Sequence, residues 1–142
     1  MLGMLLSILS GALMSIQGVF NTGVTKQSSI WVASGFVQFS ALLVCVAAWF
    51  FTGRQQVSGL FSVSPWYMLT GGVIGAFITC TVIWGMNQLG PARSVMLIVV
   101  SQLLVAYLIE VFGLFGVEKV PFEWHRILGM GLAIAGIIIF KW

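Results

Sequence analysis

The chain has 142 residues, 60% of them hydrophobic and 6% charged, against about a quarter charged in a typical soluble domain. That balance excludes an aqueous globular enzyme. The net charge of +3 is spread over six scattered basic residues, which excludes the Lys/Arg runs that bind nucleic acid or anionic lipid.

A membrane-spanning helix needs roughly 20 mostly apolar residues, so this length holds five spans with short loops. The predicted fold is therefore all-α: a polytopic membrane protein with five transmembrane helices in one domain over residues 1–142. Helix one is predicted over about 2–21. It lacks the basic first segment and small-residue cleavage site of a signal peptide. Helix two is predicted over 30–52, helix three over 66–87, helix four over 92–114 and helix five over 124–141. Ser64-Pro65 reads as a capping hydroxyl and first-turn proline for helix three, and Gly90-Pro91 marks the same point in helix four. Pro121 falls in the last loop, where Glu118, Lys119 and Glu123 are readily solvated.

The six tryptophans give a separate check, because the indole ring prefers the headgroup level. Trp31 and Trp49 lie near the ends of helix two, Trp66 and Trp84 bracket helix three, and Trp124 and Trp142 bracket helix five. Cys45 and Cys80 sit in apolar stretches and read as small core residues rather than a disulfide or a metal pair. There is no aspartate, paired carboxylate, His/Cys cluster or nucleotide-binding glycine loop, so neither an enzyme nor a cofactor or metal is expected. His125 reads as a solvated or interfacial residue.

Five spans put the termini on opposite sides of the bilayer. Arg54, Lys119 and Arg126 then fall on the N-terminal side and Lys26, Arg93 and Lys141 on the other. The basic asymmetry that normally fixes orientation is missing. Either the chain inserts both ways and pairs antiparallel with itself, or other factors fix one orientation. An antiparallel pair reproduces the inverted repeat of many secondary transporters, with a substrate site near the midplane. A parallel ring with an axial pore is the rival arrangement.

Polar residues within hydrocarbon are costly and point to function. The candidates are Gln17, Asn21, Gln38, Gln102 and, above all, Glu110. By the predicted bounds, Gln38 and Gln102 lie within roughly 5 Å of their helix centres and Glu110 about 10 Å toward the N-terminal side. Gln17 and Asn21 share a helix face and lie toward the opposite side. An inverted copy brings them to the depth of Glu110. An acid in hydrocarbon takes up a proton more readily than it holds a bare charge, which makes Glu110 the candidate coupling or substrate-contact group. The plainer alternatives are that Glu110 reaches headgroups, that the glutamines are cross-helix hydrogen bonds, and that Asn21 only ends helix one. Three patches of small residues read as helix contacts: Ser7, Gly11 and Ser15; Gly71 and Gly75; and Gly129, Gly131, Ala133 and Ala135.

These residues carry a resemblance. Ser15-Ile16-Gln17-Gly18-Val19-Phe20-Asn21, Gly71-Gly72-Val73-Ile74-Gly75-Ala76, Leu89-Gly90-Pro91-Ala92, Ser101-Gln102-Leu103-Leu104, Ile109-Glu110-Val111-Phe112-Gly113-Leu114-Phe115-Gly116 and Arg126-Ile127-Leu128-Gly129 look like the YdcZ-type branch of the drug/metabolite transporter superfamily, in order along essentially the whole chain. Where that family is expected to carry Asp-His-Phe-Gly, this chain has Glu110-Val111-Phe112-Gly113, so the acid is kept and no histidine role carries over. Ser101-Gln102 likewise stands where Gly-Gln is expected.

The resemblance implies a five-helix half of a ten-helix, EamA-like inverted-repeat fold. It implies a dimer with itself or with a paralogue in a bacterial inner membrane. The expected function is secondary export of a small metabolite or drug-like compound by alternating access in an antiparallel dimer. The alternatives are a small ion channel, or a non-transporting membrane subunit that pairs with a paralogue.

Overall fold

The computed structural model describes residues 1–141 and is all-α. Its helices are α1 (Leu2–Thr25), α2 (Ile30–Phe51), α3 (Gly71–Leu89), α4 (Pro91–Phe112) and α5 (Trp124–Lys141). Leu2–Thr25, Ile30–Phe51, Trp66–Leu89 and Pro91–Phe112 are each long and apolar enough to cross a membrane, and Trp124–Phe140 is a shorter apolar helix. At about 1.5 Å per residue α5 still reaches about 27 Å, close to the thickness of a hydrocarbon core. Trp142, expected to close the last helix, lies outside the described residues.

Three boundaries differ from expectation. α1 runs to Thr25, because Thr22 donates to Gly18 O at 2.8 Å and Thr25 to Thr22 O at 2.8 Å, so the polar end needs no water to satisfy it. Asn21 consequently lies inside the helix and is buried. The segment Trp66–Thr70 is a 3-10 turn leading into α3, and Ser64 contributes no side-chain cap there. α4 stops at Phe112, where Gly113 turns left-handed (φ 63°) and its N–H reaches Ile109 O.

Other ends follow local chemistry. Ser29 caps α2 by accepting from Val32 N at 3.2 Å. Pro91 occupies the first turn of α4, where a missing N–H costs nothing. The serines of α1 bond to their own helix: Ser7 to Gly3 O at 2.9 Å and Ser15 to Gly11 O at 3.1 Å. That satisfies their hydroxyls where lipid offers no partner.

Contacts group the chain into two units, one from Met1 to Gln88 and one from Leu89 onward. In the first, Gly18 lets α1 approach α3, since a Cβ there would run into the thioether of Met86. Met86, Ile83 and Cys80 of α3 are buried with Ala33 of α2. Gln38 donates to Thr79 Oγ1 at 3.4 Å, tying α2 to α3, while Asn87 donates to Thr25 Oγ1 at 3.4 Å, tying α3 to α1. The second unit is the α4–α5 pair and its connecting loop. Leu, Ile, Val and Phe side chains stand exposed along every helix, as expected where hydrocarbon is the solvent and helices associate by close packing and polar contacts.

The small-residue patches divide. Gly129 and Ala133 line pockets between α4 and α5, and a Cβ on Gly75 would lie 3.7 Å from the Gln38 amide. A Cβ on Gly11, Gly71 or Gly131 meets nothing within 4 Å. Cys80 is buried, whereas Cys45 is exposed on α2 rather than in the core.

Candidate functional site

Glu110 stands in the last turn of α4 and Arg126 in the first turn of α5. Arg126 Nη1 donates to Glu110 Oε2 at 2.9 Å, and Arg126 Nε donates to Glu123 Oε2 at 2.8 Å. One guanidinium thus holds two carboxylates, an arrangement its fixed, forked donors suit better than the rotatable ammonium of a lysine. His125 Nε2 lies 3.3 Å from the same Glu123 oxygen. The side chains of Glu110 and Arg126 are 42% and 37% exposed, so the pair is half-buried and not sealed between the two helices.

Local structure builds this cluster. The left-handed Gly113 turns the chain out of α4, and a Cβ there would press on Lys119 Cβ at 3.3 Å. The loop then doubles back until Val120 N donates to Glu110 O at 3.0 Å. Tyr107, one turn before Glu110, accepts from Glu123 N at 3.1 Å. Its ring lies 6.4 Å from that of Phe122, and Phe122 meets Trp124 edge-on at 5.5 Å. The start of α5 is therefore fixed against the end of α4 by a hydroxyl and by tilted and edge-on ring contacts as well as by charge. Beside the pair is an open cavity of about 330 Å³ whose lining includes Tyr107, Glu110, Arg126, Leu103 and Gly129.

The other sequence-derived residues lie elsewhere. Gln17 and Asn21 share a cleft between α1 and α2 of about 530 Å³. Gln38 is occupied by its bond to Thr79. Gln102 is exposed on α4, about two turns before Glu110 and outside the lining of the Glu110 cavity. Three participants were not anticipated: Arg126, Glu123 and Tyr107. The sequence marks Arg126 as a topological charge and as the start of the Arg126-Ile127-Leu128-Gly129 segment, and Glu123 as a solvated loop residue, without pairing either with Glu110. The available signal was an arginine opening the helix that follows the intramembrane acid across a short, glycine-bounded loop.

The family DMT_YdcZ, described as "Putative inner membrane exporter, YdcZ", matches residues 2–139. No curated protein and no solved structure gives a significant match.

Proposed function

Because the chain belongs to the DMT_YdcZ family and is a multi-pass inner membrane protein, we propose that it is a secondary exporter of a small metabolite or drug-like compound, working by alternating access in an antiparallel dimer. The observation that carries this reading is the Glu110–Arg126 pair, 2.9 Å apart beside an open cavity within apolar helices. Glu110 is the coupling group of this reading: breaking its contact with Arg126 leaves the guanidinium to Glu123 and loosens the link between α4 and α5.

The observed helix bounds support the inverted pairing of the two polar groups. Counted from the middle of its own helix, Asn21 lies about 11 Å toward the C-terminal end of α1 and Glu110 about 13 Å toward the C-terminal end of α4, ends that the five-span topology assigns to opposite sides. Gln17 lies only about 5 Å along. An oppositely inserted copy brings Asn21, more closely than Gln17, to the depth of Glu110, as in transporters built from inverted repeats. The five helices act as one half of such a fold, and two copies complete it.

The test is transport by the reconstituted full chain. Proteoliposomes should show saturable counterflow of a substrate found by thermal-shift screening, driven by a pH gradient. Glu110→Gln should exchange substrate yet lose its response to the gradient. Unsaturable ion flux far above carrier turnover would replace this reading with a pore.

A further inference from the structure

We propose that the α1–α2 cleft of the first unit is a binding pocket for an uncharged, partly aromatic compound bearing a hydrogen-bonding head such as a carboxamide. Asn21 is the observation that demands an occupant. It is only 9% exposed, and among the described residues its side chain makes no hydrogen bond. No buried polar atom there is sealed away without a partner, so the Asn21 carboxamide keeps an opening, and it lines both this cleft and a neighbouring hollow along α1 beside Ser10 and Met14. An acyl chain filling that space would leave both ends of the amide unsatisfied, a heavy penalty in hydrocarbon. A ligand with a donor and an acceptor removes it.

The rest of the lining sets the ligand's chemistry. Gln17 presents a second carboxamide one turn from Asn21, on the same helix face. Ser40 spends its hydroxyl proton on Val37 O at 2.9 Å, which leaves its oxygen free to accept. Phe20 and Phe36 supply flat apolar walls, and the lining holds no charged residue. A charged solute would lose its hydration there with no counter-ion to replace it. The volume, about 530 Å³, falls in the range of small-molecule pockets. As the exporter's substrate class this assignment rests on the transport reading above, but binding itself does not.

Cys45 lines the same cleft and is exposed, whereas Cys80 is buried, so the wild-type chain carries its own reporter. In proteoliposomes, the rate of maleimide modification at Cys45, followed by peptide mass spectrometry, should be measured with benzamide, benzoate and benzyltrimethylammonium. These three share one ring and differ in charge. Benzamide at about twice its Kd leaves a third of the sites free and should slow modification about threefold, while the two ions leave it unchanged. The benzamide effect should vanish in Asn21→Leu and weaken in the exposed-site variant Gln17→Leu. Equal protection by either ion, no protection by benzamide, or full protection in both variants would overturn the proposal. Protection without benzamide flux would keep the pocket and sink its assignment as the exporter's substrate site. Saturable benzamide flux without protection would do the reverse.

Discussion

Oε2 of Glu110 and Nη1 of Arg126, sixteen residues apart in the chain, stand 2.9 Å from each other and join the last turn of α4 to the first turn of α5. A partly exposed ion pair adds little to stability, so substitution here should separate function from folding. Glu110→Gln should unfold near the wild-type temperature yet lower gradient-driven transport at least about tenfold, as expected for loss of a proton-transfer group. Arg126→Lys keeps the charge but loses the fork that bridges Glu110 and Glu123, and should be impaired as well. Thermal unfolding in detergent and proteoliposome flux, measured on the same preparations, check both. Wild-type flux in Glu110→Gln would overturn the coupling role proposed for Glu110.

Tyr107 makes the neutral contact that supports this pair. Replacing it with Phe keeps the ring against Phe122 but removes the oxygen that accepts from Glu123 N at 3.1 Å. A lost neutral hydrogen bond is worth about 1 kcal/mol. Hydrogen exchange should show the Glu123 amide opening several-fold faster, with α1 and α2 unaffected. Unchanged exchange at Glu123 would show that the hydroxyl does not hold the start of α5.

Gly113 is a position where backbone geometry carries the site. Its φ of 63° and the nearness of Lys119 Cβ at 3.3 Å both oppose a side chain. Gly113→Ala should therefore destabilise the protein by about 1–2 kcal/mol from the left-handed backbone alone and lower transport through a displaced loop. Gly11→Ala is the contrast, since a Cβ there meets nothing within 4 Å and alanine favours a helix by up to about 1 kcal/mol. Thermal unfolding of the two variants should move in opposite directions.

How much of this was legible before the structure follows from which interactions are local. The bounds of α5 and the start of α2 were readable because Trp124 and Trp31 mark abrupt edges of apolar runs. The end of α1 was not, because Asn21 reads as a terminator unless the hydroxyls of Thr22 and Thr25 are seen to satisfy the last turn. Glu110 stood out because it is the one acid within an apolar run. Its partner did not, because the pairing depends on the Gly113 turn and the return of Val120 N to Glu110 O. These set a loop path that hydropathy does not encode. Gln38 shows the converse. Its polarity was visible, but its bond to Thr79 depends on how α2 and α3 lie together.

The proposed antiparallel dimer makes a prediction that depends on charge rather than on any contact. With Arg54, Lys119 and Arg126 balanced against Lys26, Arg93 and Lys141, no Lys/Arg excess directs insertion. A C-terminal reporter should then be detected on both sides of the membrane. Two lysines added to the Lys26 loop should drive all copies one way, and two added beside Arg54 should drive them the other. Each biased chain alone should lose transport, because no inverted copy remains to bring Asn21 to the depth of Glu110. Co-expression of the two should restore it. Detection of the wild-type reporter on one side only, with transport intact, would rule out self-pairing and leave an oppositely inserted paralogue as the second half.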